Sequence, residues 1–246
     1  MLIGSLVGNT KICCTRKVNN SINYFNFRAF WSFMTKPAIV IDLDGALLKS
    51  RPFDTAHKEW FRIMGELIKD YSINEFAFKP DYYEHVNDIM KKYLGDIDAG
   101  TRNAFARNIF AMGIVESVKK WDLIDDFAEY LRKIKNKFAI ILVTTTPSMA
   151  VKGILEKVHC SDLFDVIIAS PMEKVPHKKE LLEEFIKSHG KPLFYIGKGD
   201  KDMQSCKDLG IKTVSVNWVA AGEFKGNFEA NNIDELDKIL ERFRIG

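Results

Sequence analysis

Four short stretches of this 246-residue chain place chemically capable side chains directly after, or between, apolar runs. "DLDG" carries Asp42 and Asp44, "TTT" begins with Thr144, "MEKVPHKKE" holds Lys174, Lys178 and Lys179, and "GKGDKDM" brings Lys198, Asp200 and Asp202. Two carboxylates closing one apolar strand repel each other unless a cation or a proton stands between them. The pair therefore reads as the start of a cation site. The last stretch opens on an ammonium, Lys198, ahead of its two acids.

These residues share one rim only if the runs before them are strands of a single parallel sheet. The runs are "AIVIDL" (38–43), "FAIILVT" (138–144), "DVIIAS" (165–170), "LFYIG" (193–197) and "IKTVSV" (211–216). Each is near-continuously apolar, as expected of strands covered on both faces. Helical stretches are expected at about 122–136, 148–158, 178–188, 202–209 and 234–243. This alternation predicts an α/β fold with a doubly wound parallel sheet and right-handed crossovers. Ligands in such sheets sit outside the carboxyl ends of the strands, which is where all four stretches fall.

Nearly a hundred residues, Gly45 to Lys137, separate the first two strands, far more than a crossover needs. Within them Asp54 can cap a helix whose apolar face is Trp60, Phe61, Met64, Leu67, Ile68 and Tyr71. Further helices are expected at 81–94 and 101–111. The predicted organisation is an N-terminal extension (1–35), an α/β core (36–51 and 121–246) and a helical cap inserted after the first strand (52–120).

The order of these motifs resembles the haloacid dehalogenase superfamily over about Lys36 to Val219. Most of its members are Mg²⁺-dependent phosphatases. The resemblance implies that Asp42 attacks phosphorus to form an aspartyl-phosphate, splitting one hard step into two. It implies that Asp44 protonates the leaving group and later activates water. Thr144 and Lys178 would bind phosphoryl oxygens, Lys178 because it opens a helix; Lys174 and Lys179 stay open as alternatives. Asp42, Asp44 and Asp202 would hold Mg²⁺, and the cap would exclude water and select the substrate. Fixed cations and donors supply most of such catalysis. The plainer readings are that Thr144 satisfies backbone at a strand end and that Lys178 lies on a solvated helix face.

Two positions depart from the family pattern. The usual Thr after D-x-D-G is Ala46, and the metal-binding aspartate of the last motif falls on Lys198. At ~4 Å a unit charge is worth about 4 kcal/mol at an effective dielectric near 20, so exchanging a carboxylate for an ammonium costs Mg²⁺ heavily. Lys198 is expected to pair with Asp42 and Asp202 in the cation's place. Two alternatives are an outward Lys198 with Asp200 ligating, and Lys198 as the phosphate cation of a metal-independent site.

Composition narrows the rest. A net charge of +3 is too small to suggest nucleic acid as a partner. Cys13, Cys14, Cys160 and Cys206 show no metal-ligand spacing and read as reduced. The five histidines match no triad and read as surface or core residues. No apolar run approaches the ~20 residues that span a bilayer. Met1 to Ile41 contains no Asp or Glu but has Lys11, Arg16, Lys17, Arg28 and Lys36, which resembles a mitochondrial transit peptide; the alternative is a cytoplasmic protein with a basic tail. "INYFNFRAFWSFM" (Ile22 to Met34) is aromatic enough to dock on a partner or a membrane surface. The reading drawn from these features is a mitochondrial accessory or structural subunit with a degenerate phosphatase site. Its rivals are an active Mg²⁺-dependent phosphatase on a small phosphorylated metabolite, and a phosphate-ester sensor without turnover.

Overall fold

In the computed structural model, which describes residues 36–79, 82–174, 177–218 and 226–243, the first strand becomes the middle of the sheet. The N-terminal extension, with its transit-peptide and docking readings, lies outside the described residues, as do Cys13 and Cys14. The strands are β1 (Ala38–Ile41), β2 (Ala139–Pro147), β3 (Val166–Ser170), β4 (Phe194–Gly197), β5 (Lys212–Val216) and β6 (Phe228–Ala230). They pair in the order β3-β2-β1-β4-β5-β6, and every pair is parallel. This is the doubly wound order, with its switch point at β1, where the chain's windings diverge and a crevice opens.

Alternate residues explain why the strands read as continuously apolar. Ile39, Ile41, Ile140, Leu142, Phe194 and Ile196 enter one core, while Val40, Ile141, Val143 and Tyr195 enter a second on the opposite face. With a period of two, no face is left for polar residues.

Between β1 and β2 lie α1 (Arg51–Ile68), a 3₁₀ segment (Tyr71–Phe78), α2 (Tyr82–Leu94) and α3 (Ala99–Ser117). They enclose a separate apolar cluster that includes Trp60, Phe61, Met64, Ile73, Met90 and Ala106. The Trp60 indole donates to the Ala106 carbonyl at 2.9 Å, tying α1 to α3. The helix starts earlier than expected, after Ser50 with Pro52 in its first turn, so Asp54 is not the cap but a first-turn acid. There its charge still favours the helix N-terminus. Leu67, in the last turn, and Tyr71, beyond left-handed Lys69 (φ 58°), are exposed rather than buried. The reversal at Lys69 takes the chain out of the helical period that the sequence suggests.

The two ends of this insertion are fastened together. Arg51 Nε donates to Asp122 Oδ1 at 2.8 Å, its Nη2 pairs with Oδ2, and the Lys119 amide donates to Oδ2 at 2.8 Å. Asp122 is buried, so these charge-assisted bonds face little competition from water.

The remaining helices cover the sheet. α4 (Asp125–Ile134), α5 (Ser148–Lys157) and α8 (Ile233–Glu241) seal the larger core with Phe127, Leu131, Ile154 and Leu236; α6 (Lys178–His189) and α7 (Asp200–Asp208) seal the other with Leu182, Phe185, Met203 and Cys206. Two details differ from expectation near the carboxyl rim. β2 continues through Thr145 to Pro147, with its register on β3 shifting between Thr144 and Pro147. α7 begins at Asp200 rather than Asp202, so both acids lie in its first turn, where a helix N-terminus favours them. The short edge strand β6 was not expected at all; three residues are too few to show a period.

Candidate active site

Lys178 is the first residue of α6 and only 5% exposed. Its Nζ donates to Asp42 Oδ1 at 2.6 Å and to the Val143 carbonyl at 3.0 Å, and stands 3.1 Å from Asp202 Oδ2. The other two lysines of that loop lie on the surface, Lys174 against Glu180 and Lys179 against Asp208. Burial pushes Asp42 up to about 7, with the Lys178 charge pulling down and Asp202 and Asp44 pushing up. For Lys178, burial favours loss of the proton, but the two carboxylates outweigh it and raise the pKa, so the ammonium is kept.

The expected bridge between Asp42 and Asp202 therefore exists, but Lys178 makes it and Lys198 does not. The reason is where α6 begins. Its first side chain passes the Val143 carbonyl of β2 and reaches both acids. A second support comes from Tyr195, whose hydroxyl donates to Asp202 Oδ2 at 2.8 Å. Gly197 makes room for that ring: a Cβ at 197 would meet Tyr195 Cε1 at 2.7 Å.

Lys198 instead turns over the loop after β1. Gly45 is left-handed there (φ 73°), and a Cβ on it would stand 3.1 Å from Lys198 Cδ. Lys198 and Ser50 both favour the charged form of Asp44. Asp44 Oδ1 is buried and has no hydrogen-bond partner among the described residues. Burial is the largest influence on Asp44 and raises its pKa despite Lys198 and Ser50. Ala46, the second departure from the family pattern, is buried, and its carbonyl accepts the Trp218 indole at 3.2 Å.

Thr144 is buried at the end of β2, and its hydroxyl is occupied locally. It donates to Thr146 Oγ1 at 2.9 Å and accepts from the Thr146 amide at 3.1 Å. Serving a ligand would mean exchanging the first of these bonds. Thr145, next to it, gives its carbonyl to Arg107 of α3 at 3.2 Å, linking this rim to the insertion.

Asp42, Asp44, Thr144, Lys178, Lys198 and Asp202 line one cavity of about 550 Å³. Its other wall comes from the insertion: Phe53 and His57 of α1, Tyr82 of α2 and Phe110 of α3. The His57 ring centre is 4.3 Å from that of Tyr82 and 4.8 Å from that of Phe110, nearly parallel to the latter. Burial lowers the His57 pKa to about 4, so the ring is neutral near pH 7. Sequence reasoning passed over His57 and Tyr195. The first had a signal, since Phe53, His57 and Phe61 recur every four residues on one helix face. Tyr195 had none beyond strand alternation.

A family model described as haloacid dehalogenase-like hydrolase matches residues 39–216. The chain belongs to this family. Three solved structures with the same fold illustrate it. A haloacid dehalogenase-like hydrolase from Streptococcus pneumoniae is 16% identical with a TM-score of 0.59, the match covering 85% of this chain and 99% of that one. A predicted phosphatase from Clostridium acetobutylicum is 19% identical with a TM-score of 0.60, covering 84% and 100%. CbbY from Rhodobacter sphaeroides, in complex with phosphate, is 15% identical with a TM-score of 0.58, covering 82% and 96%. At these identities the likeness is one of fold. No curated protein matches the chain in sequence.

Haloacid dehalogenase-like phosphatases use Mg²⁺, which takes hard oxygen ligands in near-octahedral geometry. The residues of this family member do not fit it. Among the described residues no three carboxylate, imidazole or thiol groups gather as a metal site. Asp42 and Asp202 converge on the Lys178 ammonium, so the expected trio of Asp42, Asp44 and Asp202 is not assembled among the described residues. What this set can do chemically is receive phosphoryl oxygens on ammonium and hydroxyl groups. Both hydrogen bonds described for Asp42 fall on Oδ1, leaving Oδ2 to face phosphorus. A carboxyl raised in pKa, as Asp44 is, suits donation of a proton to a departing oxygen.

Proposed function

We propose that this haloacid dehalogenase-like protein holds phosphate monoesters at the carboxyl end of β1 and has weak or no Mg²⁺-dependent hydrolase activity. The observation that carries the proposal is the Lys178 ammonium, bonded to Asp42 and 3.1 Å from Asp202, with Lys198 on the same cavity rim. Asp42 then acts chiefly as a countercharge, while Thr144, Lys178 and Lys198 receive the phosphoryl oxygens. CbbY, of the same fold, was solved with phosphate bound, which is consistent with an oxyanion at this end of the sheet. The proposal extends to an accessory role in the mitochondrion, docked through the N-terminal segment; its support is the basic, acid-free and aromatic sequence there.

The test is a panel of phosphoesters with and without Mg²⁺, using Asp42→Asn as the blank. Turnover no faster than the blank is expected. Asp42-dependent turnover near an ordinary enzymatic rate, about 10 s⁻¹, would overturn it. The cellular part is tested by fractionation, and by whether native complex size is lost on removing residues 1–35. A second reading, an active Mg²⁺-dependent phosphatase, is favoured by the unpartnered, buried Asp44 Oδ1, and the same panel decides it.

A further inference from the structure

The wall contributed by the insertion differs in kind from the wall contributed by the sheet. Phe53, His57, Tyr82 and Phe110 present four rings and neither a lysine nor an arginine. The His57 ring packs close to two of the others, at 4.3 Å from Tyr82 and 4.8 Å from Phe110, so the three rings brace one another. Opposite them, the sheet side carries four carboxylates (Asp42, Asp44, Asp200, Asp202) against three ammonium groups (Lys178, Lys198, Lys201). With fewer ammonium groups than carboxylates, the rim has no positive charge to spare for more than one phosphoryl group. A second anionic group on the same ligand would meet carboxylates on one side and rings on the other.

Volume points the same way. A water takes up about 30 Å³ of liquid, so a bare phosphate of five heavy atoms fills only a fraction of the cavity of about 550 Å³. The rest leaves room for the organic part of the ligand. Flat rings gain most from another flat ring, through offset or edge-to-face contact. His57 adds no charge to the wall, because burial keeps it neutral near pH 7.

We infer that the cavity takes a phosphate monoester whose organic part is an uncharged planar ring, seated against His57, Tyr82 and Phe110. This rests on the proposed phosphate-ester reading and adds the class of ester. It sets aside bisphosphates and phosphorylated acids, which carry a second charge, and purely aliphatic esters, which offer the rings only an edge of chain.

The experiment is calorimetric titration of the full chain with phenyl phosphate, ethyl phosphate and inorganic phosphate, in wild type and in Phe110→Leu and His57→Leu. The leucines keep apolar volume and remove the ring; thermal melts confirm that each variant is folded. Phenyl phosphate is expected to bind at least tenfold more tightly than ethyl phosphate. In each leucine variant that ratio should fall below threefold, through loss of phenyl phosphate affinity. Equal binding of the two esters by wild type, or a ratio unchanged in both variants, overturns the ring inference while leaving phosphate-ester binding intact. Failure of all three probes to bind overturns both.

Discussion

Asp42 and Lys178 lie 136 positions apart in the chain and meet at 2.6 Å, with less than a tenth of either side chain exposed. Charges so placed have exchanged water for each other, and breaking such a pair is costlier than never having made it. Lys178→Met should destabilise the fold by about 3 kcal/mol, because it strands Asp42 among other acids. Asp42→Asn with Lys178→Met should be more stable than Lys178→Met alone. Urea denaturation of the two single variants and the double variant measures the coupling directly.

Lys198 packs over Gly45 rather than between Asp42 and Asp202, so replacing it changes the rim without dismantling the Lys178 network. Lys198→Asp should gain Mg²⁺ affinity by at least tenfold over wild type and bring Asp42-dependent phosphoester hydrolysis with it, since the charge on the cavity rim changes by two units. Calorimetry with MgCl₂ reads the first effect and phosphate release the second. No gain in either would mean that the lysine is not the obstacle.

The Arg51–Asp122 fastening predicts a structural effect that does not depend on any ligand. Asp122→Ala removes the acceptor of three hydrogen bonds, two of them from a guanidinium, and leaves the Lys119 amide without its partner. A loss of about 2 kcal/mol is expected, moderated because Arg51 is half exposed and can turn to water. Chemical denaturation checks it, and Lys119 amide exchange should quicken.

His57 predicts a pH dependence. Its folded pKa, lowered to about 4, lies below the ordinary 6.5, so the unfolded chain takes up a proton first. The stability tied to neutral His57 is complete above pH 6.5 and is lost as pH falls towards 4. Raised carboxylates such as Asp42 act in the opposite direction over much of this range, so the useful quantity is a difference. The gap in melting temperature between His57→Phe and wild type should move in favour of the variant between pH 7 and 4.5. A gap independent of pH would contradict the burial of a neutral ring.

The architecture was legible because its signal repeats. Apolar runs bounded by acids, hydroxyls and lysines fix both the strands and the rim, and a hundred-residue gap with helical periodicity fixes the insertion. Asp42, Asp44 and Thr144 follow from that placement, whereas Lys178 stood out from Lys174 and Lys179 only through the family resemblance. The ammonium between Asp42 and Asp202 did not follow, because two lysines at two strand ends are equivalent until the start of α6 decides which one reaches. Nor did the ring wall: His57, Tyr82 and Phe110 lie on three helices whose relative packing no local pattern encodes. Tyr195 was invisible for a simpler reason, as a strand tyrosine reads as core whether or not its hydroxyl has work to do.

The central position of β1 bears on how the molecule comes into being. It leaves the ribosome before the other strands, yet its neighbours β2 and β4 arrive about a hundred and a hundred and fifty residues later. Meanwhile α1 to α3, whose contacts are close in sequence, can associate as soon as they emerge. Synthesis thus delivers a finished helical lobe with a solitary apolar strand trailing from its front, a window in which that strand depends on shielding from its surroundings until its partners appear.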